Sequence, residues 1–149
     1  MGTRSRIGVM HGDICKSVYC HWDGYLEGVG ATLLEHYDSV HANYLVALGD
    51  ISSLGDTIGE EHPFSQFDVK ISSEEYDKLY GNMTTFYGRD RGEKNVDYRV
   101  AQTFAEFKEQ FENCGGEYYY IMKDGTWYCG GYGIADLTPL AEALAKETA

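Results

Sequence analysis

The alternation of apolar and polar residues predicts a β-hairpin at each end of the chain. Residues 4–10 (RSRIGVM) and 14–22 (ICKSVYCHW) have strand character, and the HGD between them supplies turn residues. Residues 117–133 (EYYYIMKDGTWYCGGYG) contain two aromatic strands joined by Asp124-Gly125, a dipeptide typical of tight hairpin turns. A further strand is predicted over residues 83–88 (MTTFYG), directly before RDRG.

Helical periodicity predicts five short helices. The segment 28–37 places Val29, Leu33 and Tyr37 on one face. The next helix, within residues 38–50, has Asp38 or Ser39 as its N-cap and Gly49 at its end; its predicted apolar stripe consists of Val40, Tyr44, Leu45 and Leu48. The other three helices are predicted over residues 72–81, with a Ser72/Glu75 capping pattern, 103–116 and 138–147. Residues 51–66 lack clear periodicity.

These elements predict a single α+β domain over residues 1–149. Its antiparallel sheet is built from the N- and C-terminal hairpins and is covered by the short helices. The chain has no long apolar run, and its mean hydropathy is −0.41, so we expect a cytoplasmic protein that does not enter a membrane. The four cysteines form no C-x-x-C pair, and we expect them to be free thiols, mostly buried.

The charge of the chain restricts its partners. With 12 basic and 24 acidic residues the formal net charge is −12, which disfavours binding to a nucleic acid polymer. The arginines nevertheless lie in two short stretches, Arg4 and Arg6 in the first, and Arg89, Arg91 and Arg99 in the second. Such clustering indicates local anion sites within an acidic protein.

The motif YCHWDGY (19–25) combines aromatic, imidazole, thiol and carboxylate groups. On a continuous strand, His21 and Asp23 would share one face with Tyr19, whereas Cys20 and Trp22 would face the other way. His21 and Asp23 could then form a general base with its orienting carboxylate, or two ligands of a metal site that still needs a third. The alternative is structural: Trp22 in the core, Asp23 in a turn, and His21 half exposed.

The motif FYGRDRGEK (86–94) places two arginines one residue apart between glycines. Guanidinium groups bind phosphate or carboxylate through paired hydrogen bonds, so Arg89 and Arg91 are candidates for phosphate recognition. The alternative is an internal ion-pair network with Asp90, Asp97 or a more distant carboxylate. The chain also has 13 tyrosines, which either stack on nucleobases or fill the sheet core.

Five strings together, GTRSRIGV, VYCHWDGY, GATLLEHY, ALGDISSLG and TFYGRDRGE, resemble a family of small proteins encoded in phage and prophage genomes. The resemblance covers residues 2–93 and, more loosely, the C-terminal hairpin. It implies a phage origin, and small accessory phage proteins commonly act against host defences by sequestering or destroying a nucleotide signal or by blocking a host protein. It assigns no residue roles.

These observations predict an anti-defence protein that sequesters a small nucleotide-derived signal, such as a cyclic oligonucleotide or a cyclic ADP-ribose isomer. In this hypothesis arginines hold the phosphates, aromatic residues stack on the bases, and His21 and Asp23 bind ribose or base edges; the candidate residues are Arg4, Arg6, His21, Trp22, Asp23, Tyr25, Tyr87, Arg89 and Arg91. No cofactor or metal is expected. Two alternatives stay open: a hydrolase of such a signal with His21 and Asp23 as acid and base, and an acidic inhibitor of a host defence protein. Homo-oligomerisation is also open.

Overall fold

The N-terminal hairpin forms the middle of the sheet. In the computed structural model, which describes residues 2–148, β1 (Ser5–His11) is antiparallel to β2 (Ile14–Cys20) and parallel to β6 (Tyr118–Lys123). Both edges of β1 are therefore paired, and five of its seven residues, 5–9, are buried. The predicted α+β class is confirmed, with a sheet that is mostly antiparallel but mixed.

The remaining strands extend this centre on both sides, in the order β4-β3-β2-β1-β6-β7-β8, and β5 pairs separately with β2. The other strands are β3 (Ile51–Ser53), β4 (Thr85–Phe86), β5 (Arg99–Ala101), β7 (Thr126–Gly131) and β8 (Ile134–Pro139). The helices are α1 (Ala31–His36), which continues a π-helical turn at Leu26–Gly30, α2 (Ser39–Ala47), α3 (Gln66–Val69), α4 (Ser73–Tyr80), α5 (Tyr87–Arg91), α6 (Phe104–Asn113) and α7 (Leu140–Thr148).

The outer edge of β2 is divided between two partner strands. Near the start of β2, Cys15, Lys16 and Ser17 pair with β5, whereas at its end Cys20 pairs in parallel with Ile51 of β3. Between these contacts lies Tyr19, whose main-chain N–H donates to the carboxylate Oδ1 of Asp50 at 2.9 Å. A side chain therefore completes the hydrogen bonding of this edge.

Helices cover both faces of the sheet and create two apolar cores. Ile7, Val9 and Val18 belong to the larger core, which includes residues of α1, α2 and α7. The smaller core, under α6, includes Phe107, Phe111, Tyr119 and Ile121, in agreement with the phenylalanine spacing of the predicted helix. Both faces of the sheet are thus covered, and α6 packs against β2 and β5.

Three local predictions need correction. In α2 the buried residues are Ala42, Leu45 and Val46, whereas Val40 and Tyr44 are exposed, because the helix faces the sheet with a different stripe. Only Thr85 and Phe86 of MTTFYG form a strand; the chain then turns into α5, where the Asp90 carboxylate accepts the main-chain N–H of Phe86 at 2.7 Å. The short strands β3, β5 and β8 and the short helices α3 and α5 were not predicted, and β3 lies in the stretch 51–66 that lacked clear periodicity.

Several sequence predictions are confirmed. Asp38 caps α2 by accepting the N–H of His41, and Ser72 caps α4 by accepting that of Glu75. Both residues of the Asp124-Gly125 turn have positive φ, as a tight hairpin requires. All four cysteines are free, three of them buried.

Within residues 2–148, no helix is long and apolar enough to cross a bilayer.

The buried hydroxyl of Thr84 forms hydrogen bonds that fix the chain segment before β4, and a substitution can test their contribution. It accepts the N–H of Gly55 at 3.0 Å, donates to the carbonyl of Thr57 at 2.9 Å and contacts the Tyr37 hydroxyl. Thr84→Val leaves these groups without this partner, so we expect the free energy of unfolding to fall by about 1–3 kcal/mol in urea denaturation. Thr126→Val, at an exposed position of β7, is the control and should change it by less than about 0.5 kcal/mol. Equal effects of the two variants would contradict this role.

Candidate functional site

A cavity of about 580 Å³ opens where the edge of β2 is divided. We call it the arginine cavity, and it is lined by Arg4, Arg6, Tyr19, Asp50, Arg99 and, at the end of α6, Gln110, Asn113 and Cys114. Arg4 precedes β1, Arg6 lies within it, and Arg99 begins β5. The split edge of β2 therefore brings together arginines from both sequence clusters.

Arg6 is a charged residue in the middle of the sheet, with only 4% of its surface exposed. Its Nε donates to the Ser17 hydroxyl at 2.8 Å and its Nη2 to the Ser17 carbonyl at 3.3 Å. These two bonds fix the guanidinium plane but do not neutralise it. Burial of an unneutralised charge is costly, so a cationic group held in this way favours an anion beside it.

Arg4, Arg6 and Arg99 have no carboxylate partner within ion-pair distance among residues 2–148. The acid in the cavity is Asp50, whose Oδ1 accepts the N–H of Tyr19. Burial raises the pKa of Asp50, an effect opposed by that hydrogen bond and by the positive charges of Arg6 and Arg99. The three guanidinium groups thus outnumber the single carboxylate of the cavity.

A second cavity, of about 340 Å³, adjoins the first at Arg4, which lines both. We call it the tryptophan cavity, and its other lining residues are Gly2, His21, Trp22, Gly115 and Glu117. Gly115 has positive φ, and a Cβ there would lie 3.1 Å from Nη1 of Arg4. Glycine at this position therefore lets the chain at the end of α6 turn directly beside the Arg4 guanidinium group.

Tyr19 and His21 connect the two cavities through a hydrogen bond. The Tyr19 hydroxyl lies 2.6 Å from Nδ1 of His21, whose ring meets that of Trp22 edge-on at 4.7 Å. Burial lowers the pKa of His21, as does the charge of Arg4, and burial raises the pKa of Tyr19. Both shifts favour an uncharged Tyr19–His21 pair at neutral pH.

The structure pairs His21 with Tyr19 and not with Asp23. The strand ends at Cys20, so the alternation of faces stops there, and Asp23 has positive φ and an exposed side chain. Trp22, 43% exposed, lines the same cavity as His21 instead of facing the opposite way or filling the core. The predicted separation of His21 and Trp22 was wrong because it assumed a longer strand.

Arg89 is held within the fold. Its Nε donates to Oδ1 of Asp90 at 3.0 Å, Nη2 donates to the Thr84 carbonyl at 2.9 Å, and the guanidinium lies over the Phe86 ring at 4.6 Å. The Asp90 side chain is fully buried. The alternative of an internal ion-pair network therefore describes the surroundings of Arg89.

Arg91 is exposed but also partnered. Its Nε donates to Oε2 of Glu93 at 2.9 Å, and its guanidinium lies over the Phe64 ring, at 4.2 Å, and near the adjacent Tyr87 ring, at 5.2 Å. The lining of the two cavities includes neither Arg89 nor Arg91, and it includes neither Tyr25 nor Tyr87. Of the predicted candidates, the cavities bring together Arg4, Arg6, His21 and Trp22, and they add Tyr19, Asp50, Arg99 and Glu117.

The contrast between Arg89 and Arg91 leads to a stability prediction. Arg89→Ala removes the cation beside a buried carboxylate and should lower the free energy of unfolding by about 3–5 kcal/mol. Arg91→Ala, which breaks an exposed pair, should lower it by about 0–1 kcal/mol. Thermal and urea denaturation of the two variants provide the measurement. A mild effect of Arg89→Ala would show that Asp90 is neutralised in another way.

The raised pKa of Asp50 predicts a pH-dependent difference between the wild type and Asp50→Asn. A carboxyl whose pKa is higher in the folded than in the unfolded state stabilises the fold at low pH, and this contribution is lost as the pH rises through the folded-state pKa. In the variant, the amide oxygen of the asparagine can still accept the Tyr19 N–H, but the side chain has no titratable group. We therefore expect its stability relative to wild type to increase between pH 4 and pH 7, measured by urea denaturation. A relative stability of Asp50→Asn that stays constant or falls over this pH range would contradict the assignment.

The resemblance to small phage proteins stays a prediction. Comparisons of the chain with protein-family models, with curated proteins and with solved structures gave no match. They neither support nor contradict a phage origin. The site itself consists of three arginines around one cavity and an exposed tryptophan in the adjoining one.

Proposed function

We propose that the protein binds a small, phosphate-bearing, nucleotide-derived ligand in the arginine cavity and keeps it intact. One observation carries the proposal: Arg4, Arg6 and Arg99 converge on a single cavity without carboxylate partners at ion-pair distance in the described chain. Relative to the sequence hypothesis, Arg99 takes the place of Arg89 and Arg91 in holding phosphate.

The chemistry of the cavity suits a phosphate group. Guanidinium groups donate several N–H bonds in a planar arrangement, and such bonds to an anion are stronger than bonds between neutral groups. Arg6 is already oriented by Ser17, so little side-chain entropy is lost when an anion binds. A volume of about 580 Å³ also lies within the range usual for small-molecule sites, about 300–1,000 Å³.

The charge distribution favours a compact anion over a nucleic acid polymer. A long polyanion would contact the acidic surface of a protein whose net charge is −12. A small ligand inside the cavity lies next to the arginines, and salt screens more distant charges beyond about 8 Å at physiological ionic strength. The cavity can therefore attract a nucleotide although the whole molecule is acidic.

Sequestration of a nucleotide immune signal in the cytoplasm of an infected host is the biological role that we propose. The role of Asp50 supports binding without chemical conversion of the ligand. Its carboxylate, the acidic group of the cavity, accepts a main-chain N–H of β2 and therefore has a structural role. The phage context comes from the sequence resemblance alone.

A hydrolase is the second candidate, and the Tyr19–His21 hydrogen bond of 2.6 Å favours it. Tyr19 lines the arginine cavity and His21 the neighbouring one, so a neutral imidazole lies near the proposed phosphate position. In this mechanism His21 would act as general base with Tyr19, and not Asp23, as the residue that orients it.

The proposal predicts which arginine variants lose ligand. A panel of cyclic dinucleotides, cyclic trinucleotides and ADP-ribose isomers would be titrated calorimetrically at fixed ionic strength, with chromatography of the recovered ligand. Arg99→Ala removes charged hydrogen bonds worth about 1.5–3 kcal/mol and should weaken binding about 10- to 150-fold. Arg91→Ala, another exposed arginine but outside the cavity, is the control and should bind like the wild type.

Each outcome decides between the candidates. Equal affinities of Arg99→Ala and the wild type would contradict the arginine cavity as the phosphate site. A new product that disappears in His21→Ala would favour the hydrolase, whereas recovery of intact ligand supports sequestration. If no compound binds, the small-molecule proposal fails, and an acidic inhibitor of a host protein becomes the leading candidate.

A further inference from the structure

We propose that the tryptophan cavity binds the base of the ligand and selects guanine over adenine. This inference depends on the proposed phosphate site, because Arg4 lines both cavities and would lie where the sugar-phosphate joins the base. A ligand with its phosphate among the three arginines can place a planar ring directly beside Trp22.

Trp22 offers a stacking surface that is fixed in position. Its main-chain N–H donates to the Ser52 carbonyl at 3.1 Å, which ties it to β3, and the edge-on contact with His21 restrains its ring. Even so, 43% of the residue is exposed. An exposed and oriented indole at the mouth of a cavity is the arrangement by which aromatic residues bind nucleobases.

Gly2 fits the chain closely against this indole. A Cβ at Gly2 would lie 2.6 Å from Cε3 of Trp22 and 2.6 Å from the carbonyl oxygen of His21. The N-terminal main chain therefore packs against the six-membered ring of Trp22 and supports it. A larger residue at position 2 would displace either the ring or the backbone of residue 21.

Glu117 gives the cavity its chemical preference. Its main chain is fixed, with its N–H donating to the Arg4 carbonyl at 2.8 Å and its own carbonyl accepting the N–H of Tyr132 at 2.8 Å. In the described chain its carboxylate takes part in no ion pair. A carboxylate only accepts hydrogen bonds, so it is complementary to an edge that carries several donors.

Guanine has such an edge, because its N1–H and exocyclic N2 amine point the same way and can both donate to one carboxylate. Hypoxanthine keeps the N1–H but lacks the amine. Adenine presents an unprotonated N1, an acceptor that a carboxylate repels. The expected order of affinity is therefore guanine, then hypoxanthine, then adenine.

Intrinsic fluorescence tests this order, since the chain has two tryptophans and Trp127 is buried with its indole N–H bonded to the Tyr37 carbonyl. Guanosine, inosine and adenosine 5′-diphosphates would be titrated, with affinities measured in parallel by calorimetry. Guanosine diphosphate should quench the fluorescence of Trp22. It should also bind about ten-fold or more tightly than adenosine diphosphate, because a pair of hydrogen bonds to a base edge usually provides that degree of discrimination. Trp22→Phe should lose the quenching response while the calorimetric signal remains.

Glu117→Gln is the decisive variant, because an amide keeps the size of the side chain but donates as well as accepts. We expect it to reduce the preference for guanosine over adenosine diphosphate to less than about three-fold. Inorganic pyrophosphate, which has no base, should bind the wild type and Glu117→Gln equally well.

The results separate the two proposals. Binding of pyrophosphate and of all three nucleotides with equal affinity would overturn the guanine subsite and leave the phosphate site standing. Absence of binding by pyrophosphate and by all nucleotides would overturn both. A guanine preference that persists in Glu117→Gln would overturn the role of Glu117.

Discussion

The hydrogen bond between the Tyr19 N–H and the Asp50 carboxylate lets the edge of β2 remain divided between β3 and β5. A full-length partner strand would satisfy the same N–H but would occupy the space of the arginine cavity. The side chain of Asp50 instead completes the edge locally. The carbonyl of Asp50 also accepts the N–H of Tyr87, and its N–H donates to the carbonyl of Val96, so the same residue links β2 with the start of α5 and with the segment after that helix.

The arginines of this acidic chain have two different roles. Arg89 neutralises the buried carboxylate of Asp90 and stabilises the fold, whereas Arg4, Arg6 and Arg99 direct their charge towards a cavity. Arginine is suited to both because its guanidinium group stays charged, stacks on aromatic rings and donates in a plane. The role of each arginine therefore depends on its nearest acidic neighbours and not on the net charge of the protein.

Local signals in the sequence predicted much of the fold, and long-range pairing accounts for most of what they missed. The Asp124-Gly125 turn, the caps at Asp38 and Ser72 and the phenylalanine face of α6 depend on neighbouring residues and were predicted correctly. The parallel pairing of β1 with β6 joins residues more than 100 positions apart, and no local pattern encodes it. The same limit applies to the candidate site. Four of its residues were predicted from the sequence, namely Arg4, Arg6, His21 and Trp22. The others, Arg99, Asp50 and Glu117, reach the cavities only through strand pairing and the packing of α6.

Nuclear magnetic resonance of the arginine side chains tests the central claim most directly. The chain has five arginines, so their Nε–Hε signals can be assigned individually with arginine variants. On addition of inorganic pyrophosphate, the account predicts that the signals of Arg4, Arg6 and Arg99 shift in a saturable manner, while those of Arg89 and Arg91 stay in place. Shifts confined to Arg89 and Arg91, or no saturable shift of any signal, would contradict the arginine cavity as an anion site.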